Sequence, residues 1–281
     1  MRVLILGLAV MLGCGAAGAA PRGDTAARLA ADMHRVLRMD ELLPVLRDEA
    51  LAEARVMQQE GMIPASEAGA WTQAVARIHD PARLRAMLEV ALREALRGQP
   101  QARLDTALVF YRKSLGSRVL TLETQARAAM IDPGTDRAAR AAWARAVAAG
   151  DPRVGRIRRL IEEADLVEPN VASGMNAALA FSAGFVDAGG VAMPQTEAQM
   201  LSDIWRQEPQ IRADTRDWLE AFLYLAYAQL SDAQLDRLIA HAGSAPGRVL
   251  SAVLFAGYDR VYAQTSREMG AAAARRPGTA L

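Results

Sequence analysis

DELLPVLRDEALAEARVMQQEG, residues 40–61, carries the pattern that decides the fold. Its apolar residues recur every three or four positions, at Leu43, Leu46, Ala50, Ala54 and Met57. This spacing places them on one face of an α-helix. The stretch opens on Asp40, a residue type that caps helix starts, and closes on Gly61, a residue type that ends helices. The sequence therefore predicts an amphipathic helix here.

The same start and stop signals recur along the whole chain. Candidate helix starts are Asp24, Asp40, Ser66, Asp80, Asp132, Asp151 and Ser231. Candidate helix ends are Gly61, Gly98, Gly116, Gly150 and the pair Gly189-Gly190. Runs of β-branched residues, which are typical of strands, are missing. These signals predict an all-α fold with about ten to twelve helices.

Composition narrows the class of protein. Hydrophobic residues make up 52% of the 281 residues, which is enough to bury a core. The 33 basic and 32 acidic residues leave a formal net charge of +1. A surface that binds nucleic acid normally carries a clear excess of cations, so we expect no nucleic-acid partner.

The N-terminal residues have the pattern of an export signal. Arg2 precedes an apolar run at residues 3–12, and Ala17-Gly18-Ala19 supplies a small-residue cleavage site. This pattern predicts a signal peptide at residues 1–19 and a periplasmic protein. The run is shorter than the roughly 20 residues that a membrane helix needs, and no later stretch qualifies, so we expect no transmembrane helix.

A second interpretation of the same segment involves Cys14. Met11-Leu12-Gly13-Cys14 resembles a lipoprotein box, in which the cysteine is lipidated and anchors the chain to a membrane. Cys14 is the only cysteine of the chain. The mature protein therefore has no internal disulfide under either interpretation.

The chain also matches itself at a shift of 131 residues. Leu88-Glu89 falls on Leu219-Glu220, Leu104-Asp105 on Leu235-Asp236, and Gly116 on Gly247. Chance matching in a chain rich in alanine and leucine is the alternative. The matches predict two tandem related helical bundles, at residues 20–150 and 151–269, followed by a flexible tail at residues 270–281.

The stretch LDTALVFYRKSLG, residues 104–116, contains Phe110, Tyr111, Ser114 and Gly116. It resembles the exported bacterial Domain of Unknown Function family 2059, in which a helix ending in Phe-Tyr is followed by Ser or Thr and then Gly. Two residues rather than one separate Tyr111 from Ser114. The second copy is weaker, because His241 and Ala242 occupy the two aromatic positions. The resemblance implies an all-α periplasmic domain and carries no established activity or ligand.

The sequence contains no recognisable catalytic or metal-binding motif. His34, His79 and His241 do not have the spacing of metal ligands, and no cysteine pair exists. The nucleophile-elbow and phosphate-loop motifs are also missing. We therefore expect no metal and no cofactor, and we favour a protein that is not an enzyme.

Two glutamates are the candidate binding or acid groups. Glu89 and Glu220 fall at matching positions of the two predicted units, and Glu220 shares a helix face with Tyr224 and Tyr227. A carboxyl group among aromatic rings can have a raised pKa and act as an acid or anchor a ligand. The alternative is that each glutamate pairs with one of the many arginines.

A basic segment precedes the second unit. Its arginines, among them Arg156 and Arg159, form a local positive stretch that can contact anionic lipid or an acidic partner. A solvated helix surface is the alternative interpretation.

The leading hypothesis is a non-catalytic helical scaffold that binds an envelope protein or another envelope component in a groove between its two units. One alternative is an envelope hydrolase or small-molecule enzyme that uses Glu220, Tyr224 and Tyr227. The other is a lipid-anchored structural protein attached through Cys14.

Overall fold

The computed structural model describes residues 22–190 and 196–274. These residues form α-helices and one 3₁₀ turn, and no strand occurs among them, so the predicted all-α fold is confirmed. The twelve helices of the described residues are α1 Arg22–Val36, α2 Met39–Gln59, α3 Ala68–Ile78, α4 Pro81–Ala95, α5 Gln101–Arg112, α6 Ser114–Ala129, α7 Pro133–Ala148, α8 Pro152–Glu163, α9 Val167–Asp187, α10 Glu197–Ala226, α11 Asp232–Ala242 and α12 Ala245–Ala274.

Four of the predicted helix starts have the expected capping hydrogen bonds. The Asp80 carboxylate accepts from the backbone N–H of Arg83 at 3.0 Å, and Asp132 and Asp151 cap α7 and α8 in a similar way. Ser231 forms a capping box with Gln234 at the start of α11.

Three predicted helix starts were wrong. Asp24 lies inside α1, and Ser66 lies inside the 3₁₀ turn Ala65–Glu67, which makes no side-chain capping bond. Asp40 lies in the first turn of α2, where its carboxylate binds His34 and Arg85 instead of the helix N-terminus.

Most of the predicted glycine ends adopt the left-handed conformation. Gly61, Gly98, Gly150 and Gly189 all have positive φ angles. Gly116 does not, because α6 has already begun at Ser114 and the chain reverses earlier, at Lys113. Here the prediction was wrong about the role of the glycine, since Gly116 is needed for a close backbone contact and not for a turn.

Two large apolar cores organise the helices. One joins α6, α7, α8, α10 and α11 with the start of α9 around the fully buried Phe222, Leu219 and Leu223. The other joins α1, α2, α4 and α5 with the first half of α12 around Leu88 and Leu108. A smaller cluster joins α2, α3 and the end of α12.

These cores cross the predicted boundary at residue 150. Helices α6 and α7 precede it but pack with α8, α10 and α11, whereas α12 packs with α4 and α5. The arrangement as two separate tandem bundles is therefore not confirmed. Residues 270–274 of the predicted tail belong to α12, so the prediction was wrong for them, and residues 275–281 lie outside the described residues.

Helices α9 and α12 approach each other closely at two glycines. A Cβ atom added to Gly184 would lie 2.0 Å from the carbonyl oxygen of Arg267, and one added to Gly270 would lie 2.0 Å from that of Phe181. Both distances are far shorter than van der Waals contact. The absence of side chains at these two positions is what lets the helix backbones touch.

No single helix in residues 22–190 and 196–274 is long and apolar enough to cross a membrane. Helices α11 and α12 together have the length and apolar composition of a membrane span, but the chain bends by 73° between them. The predicted signal peptide and Cys14 lie outside the described residues.

Candidate functional site

A groove lies between α2, the junction of α6 and α7, α10 and α12. Its volume is about 590 Å³, which is within the range of small-molecule sites. Apolar side chains such as Leu46, Met130 and Met269 form part of its wall, and charged side chains such as Arg55 and Arg137 also line it. The groove can therefore hold a ligand that has both an apolar body and polar groups.

An ion pair between Arg127 of α6 and Glu49 of α2 lines this groove. The guanidinium Nε and Nη2 atoms donate to the two carboxylate oxygens at 2.7 and 2.8 Å. The Arg127 side chain is 5% exposed and that of Glu49 is 28% exposed. Burial is the largest single effect and would lower the pKa of Arg127, but the charge and hydrogen bond of Glu49, together with Tyr262 and Tyr258, raise that pKa overall. The paired guanidinium stays charged and is held in one position.

His79 and Trp218 also contribute to the groove. The Nδ1 of His79 lies 3.1 Å from the carbonyl oxygen of Val75, so Nδ1 carries the proton and Nε2 is an acceptor in the neutral ring. Burial lowers the pKa of His79, so the ring is neutral at pH 7. Trp218 stacks on Phe222 with the ring centroids 4.5 Å apart, which fixes the orientation of its indole.

A second, smaller cavity of about 110 Å³ lies on the other side of Arg127, which lines both spaces. Its polar lining consists of Arg127, Glu123, Thr124 and tyrosines. The apolar lining is formed by Leu37, Met39, Leu42, Leu120, Leu160, Ala164, Leu166, Leu223, Leu238 and Leu254. We call this space the Glu123 cavity.

Glu123 is the carboxyl group that is surrounded by tyrosines. The hydroxyl of Tyr227 donates to its Oε1 atom, and Tyr111 and Tyr258 line the same cavity. Burial raises the pKa of Glu123 to about 7, although the hydrogen bond from Tyr227 opposes this. Burial also raises the pKa of all three tyrosines, so their phenols are neutral at pH 7. Glu123 is the one group of the cavity that changes charge near neutral pH.

Glu220, the glutamate highlighted by the sequence, does not line either space. Its Oε2 accepts from the indole N–H of Trp143 at 2.8 Å, and its Oε1 accepts from the Nε of Arg158 at 3.0 Å. Its side chain is 12% exposed. Glu220 therefore has the arginine partner that the alternative interpretation expected, and it holds α7 and α8 against α10.

The three residues Glu220, Tyr224 and Tyr227 are not gathered in one site. The ring of Tyr224 packs against that of Trp143 at 5.5 Å, and its hydroxyl donates to Asp151 at 3.0 Å. Tyr227 faces Glu123 instead. Seven residues of α-helix rise by about 10 Å, so Glu220 and Tyr227 share a face of α10 but meet different neighbours.

The other charged candidates are paired within the chain. Glu89 is 35% exposed and binds Arg85 at 3.2 Å on its own helix. Arg156 binds Asp232 and Asp236 at 3.0 and 3.2 Å, and Arg159 binds Asp236 at 2.7 Å. The basic face of α8 is therefore matched by the acidic face of α11.

The Phe110 motif forms a corner between helices. Phe110 stacks on His241 with the ring centroids 4.0 Å apart, and Tyr111 reaches the Glu123 cavity. Ser114 begins α6 and is exposed. A Cβ atom on Gly116 would lie 2.3 Å from the carbonyl oxygen of Phe110, so this position needs a glycine.

The sequence reasoning missed Glu49, Glu123 and Arg127. Glu123 and Arg127 lie four residues apart on α6, on the helix face that also carries the apolar Leu120. A signal was therefore present, because charged residues at this spacing interrupt an otherwise apolar face. Glu49 gave no such signal, because it lies within the charged segment Arg47-Asp48-Glu49.

We expect Glu220→Ala to lower the free energy of unfolding by about 2 kcal/mol, because it leaves the buried indole N–H of Trp143 without its acceptor. Glu220→Gln retains an oxygen that accepts this hydrogen bond and should cost about 1 kcal/mol or less, since Arg158 is half-exposed. Urea denaturation of both variants measures the difference. Equal losses in the two variants would contradict the anchoring role.

No group of three or more potential metal ligands occurs in the described part of the chain. Comparison of the whole chain with protein-family models, with curated proteins and with solved structures finds no match.

Proposed function

We propose that this chain is an exported, non-catalytic helical binding protein of the bacterial envelope, and that it holds its ligand in the groove lined by Arg127. The observation that supports the proposal is a groove of about 590 Å³ with a fixed ion pair, made by the buried Arg127 and the half-buried Glu49, in its wall. Its apolar wall suits the body of a ligand, and the Arg127–Glu49 pair suits a polar group on it.

Both oxygens of the Glu220 carboxylate already have partners within the chain, which favours a binding protein over an enzyme built on this residue. An enzyme built on Glu220, Tyr224 and Tyr227 requires the carboxylate to line an open cleft. Glu220 instead binds Arg158 and Trp143, and Tyr227 binds Glu123. The geometry therefore offers no support for this alternative.

Export rests on the N-terminal sequence, where residues 1–19 have the pattern of a signal peptide and Cys14 offers lipid anchoring as the alternative. Intact mass measurement of the membrane and soluble fractions, from cells that produce the native chain or Cys14→Ala, separates the two forms. The resemblance to Domain of Unknown Function family 2059 is part of the same proposal, since that family is exported.

We further propose that the chain arose by duplication of one helical unit. Helices α2 and α9 both have 21 residues. A Cβ atom on Gly247 would lie 2.2 Å from the carbonyl oxygen of His241, which repeats the contact between Gly116 and Phe110 at the shift of 131 residues. The stacked rings of Phe110 and His241 also occupy equivalent positions. These features support an internal pseudo-twofold relation in which α6 and α12 are exchanged between the units.

Filling the groove tests the binding proposal. N-phenyl-1-naphthylamine, an apolar fluorophore of suitable size, should bind the native protein with an increase in fluorescence. Ala52→Trp places an indole in the groove, and we expect it to weaken this binding at least tenfold. Ala128→Trp is the matched control, because Ala128 is exposed on α6 and does not line the groove.

Equal fluorescence titrations for Ala52→Trp and Ala128→Trp would contradict the proposed site, as would the absence of any fluorescence increase with the native protein. Circular dichroism of both variants establishes that each retains the helical fold.

A further inference from the structure

The Glu123 cavity contains a carboxyl group whose charge is not balanced by the protein. Among the described residues the hydrogen-bond partner of Glu123 is the Tyr227 hydroxyl, and no arginine or lysine forms an ion pair with it. A half-buried carboxylate without a cation is unfavourable, because the apolar lining removes part of its hydration and one hydrogen bond from Tyr227 replaces only some of it. From this cavity and its unpaired carboxyl group we propose that it binds a small organic cation, specifically a primary ammonium.

The charges around the cavity favour a cation. Arg127 is the other charged residue in the cavity lining, and its Nε and Nη2 atoms both donate to Glu49 in a bidentate ion pair. The positive charge of Arg127 is therefore matched by Glu49, whereas the negative charge of Glu123 has no cationic partner among the described residues. The residues contributed by α2, α8, α11 and the α1–α2 and α8–α9 connections are apolar, so they add no compensating charge.

The tyrosines supply the remaining requirements of an ammonium site. An ammonium has three donors, and Glu123 together with hydroxyl groups of Tyr111, Tyr227 and Tyr258 offers acceptors for them. The aromatic rings also attract cations through their π faces. The leucine side chains suit a short alkyl body, and a volume of about 110 Å³ accommodates a body of about four carbons.

Ligands of other charge fit less well. An anion would lie against a carboxylate, and a neutral molecule would leave the charge of Glu123 uncompensated. Protonation of Glu123 is the competing way to remove this charge, and burial raises the pKa of the group to about 7. A bound ammonium and a proton therefore compete for the same carboxylate.

Calorimetric titration with n-butylamine, and with n-butanol as the uncharged analogue of the same shape, tests the proposal on the full mature chain at pH 8. We expect the amine to bind and the alcohol to bind at least tenfold more weakly. Glu123→Gln keeps the shape and the acceptor for Tyr227 but removes the charge, so it should weaken amine binding at least tenfold. Glu89→Gln is the matched control, because Glu89 is on the surface and outside both cavities.

The pH dependence provides an independent readout. Lowering the pH from 8 to 5 protonates Glu123, whereas the amine stays charged, so the amine affinity should fall at least tenfold in the native protein and remain unchanged in Glu123→Gln. Equal affinity for amine and alcohol, undiminished binding by Glu123→Gln, or no binding of the amine would each overturn the proposal. The groove experiment with N-phenyl-1-naphthylamine does not depend on Glu123, so the two proposals can fail separately.

Discussion

Gly184→Ala is expected to lower the free energy of unfolding by about 3 kcal/mol, and Gly270→Ala by a similar amount. Each added methyl group would lie 2.0 Å from a backbone carbonyl oxygen of the opposite helix. A backbone carbonyl cannot rotate away as a flexible side chain does. Helices α9 and α12 must therefore separate along their contact, and this loosens the packing of the side chains on both sides.

Gly155→Ala is the matched control for these two variants. Gly155 lies on the exposed face of α8, and a Cβ atom there would meet nothing within 4 Å. Because alanine favours helix over glycine, we expect this variant to be more stable than the native protein by up to about 1 kcal/mol. Urea denaturation followed by circular dichroism measures all three variants. Losses below about 1 kcal/mol at Gly184 and Gly270 would show that the two helices can separate at little cost.

Glu123→Gln is expected to change how stability depends on pH. The folded-state pKa of Glu123 is raised to about 7, from 4.5 in the unfolded chain. The folded state therefore binds a proton at Glu123 more tightly than the unfolded chain does. The stabilisation that this proton gives the folded state is complete below about pH 4.5 and is lost as the pH rises to about 7. One pKa unit corresponds to about 1.4 kcal/mol, so this difference amounts to about 3 kcal/mol.

Relative to Glu123→Gln, the native protein should lose about 3 kcal/mol of stability between pH 4.5 and pH 8. Burial lowers the pKa of His79 and His241 as well, and these histidines destabilise the native fold at acidic pH. Both are present in the variant, so their contributions cancel in the comparison. Parallel stability curves for the two proteins across this range would disprove the raised pKa of Glu123.

Local structure was largely predictable from the sequence, because capping and helical periodicity act over a few residues. The Asp-Pro starts at residues 80, 132 and 151 coincide with real helix starts, and Gly61, Gly98 and Gly150 have the predicted backbone conformation. Asp40 misled the prediction because its side chain is satisfied by partners on α1 and α4. These partners belong to other helices, and they meet Asp40 only because of the way in which α1 and α4 pack against α2.

The candidate site was less predictable for the same reason. The idea of a carboxyl group among tyrosines was sound in chemical terms, but it selected Glu220 from residues of one helix. The carboxyl group that the fold places beside Tyr227 is Glu123, which is 104 residues away in the chain. Only the packing of α6 against α10 brings these two together, and a single sequence does not reveal which helices pack.

The position of α12 has a consequence for how the protein is made. Synthesis proceeds from the N-terminus, so α1, α2, α4 and α5 are complete long before Val253 and Phe255 exist to cover Leu88 and Leu108. The apolar faces of α1, α2, α4 and α5 therefore stay exposed until α12 has been synthesised. A polypeptide that stops after α11 would lack this closing helix, and we expect it to aggregate rather than to persist as a smaller folded protein.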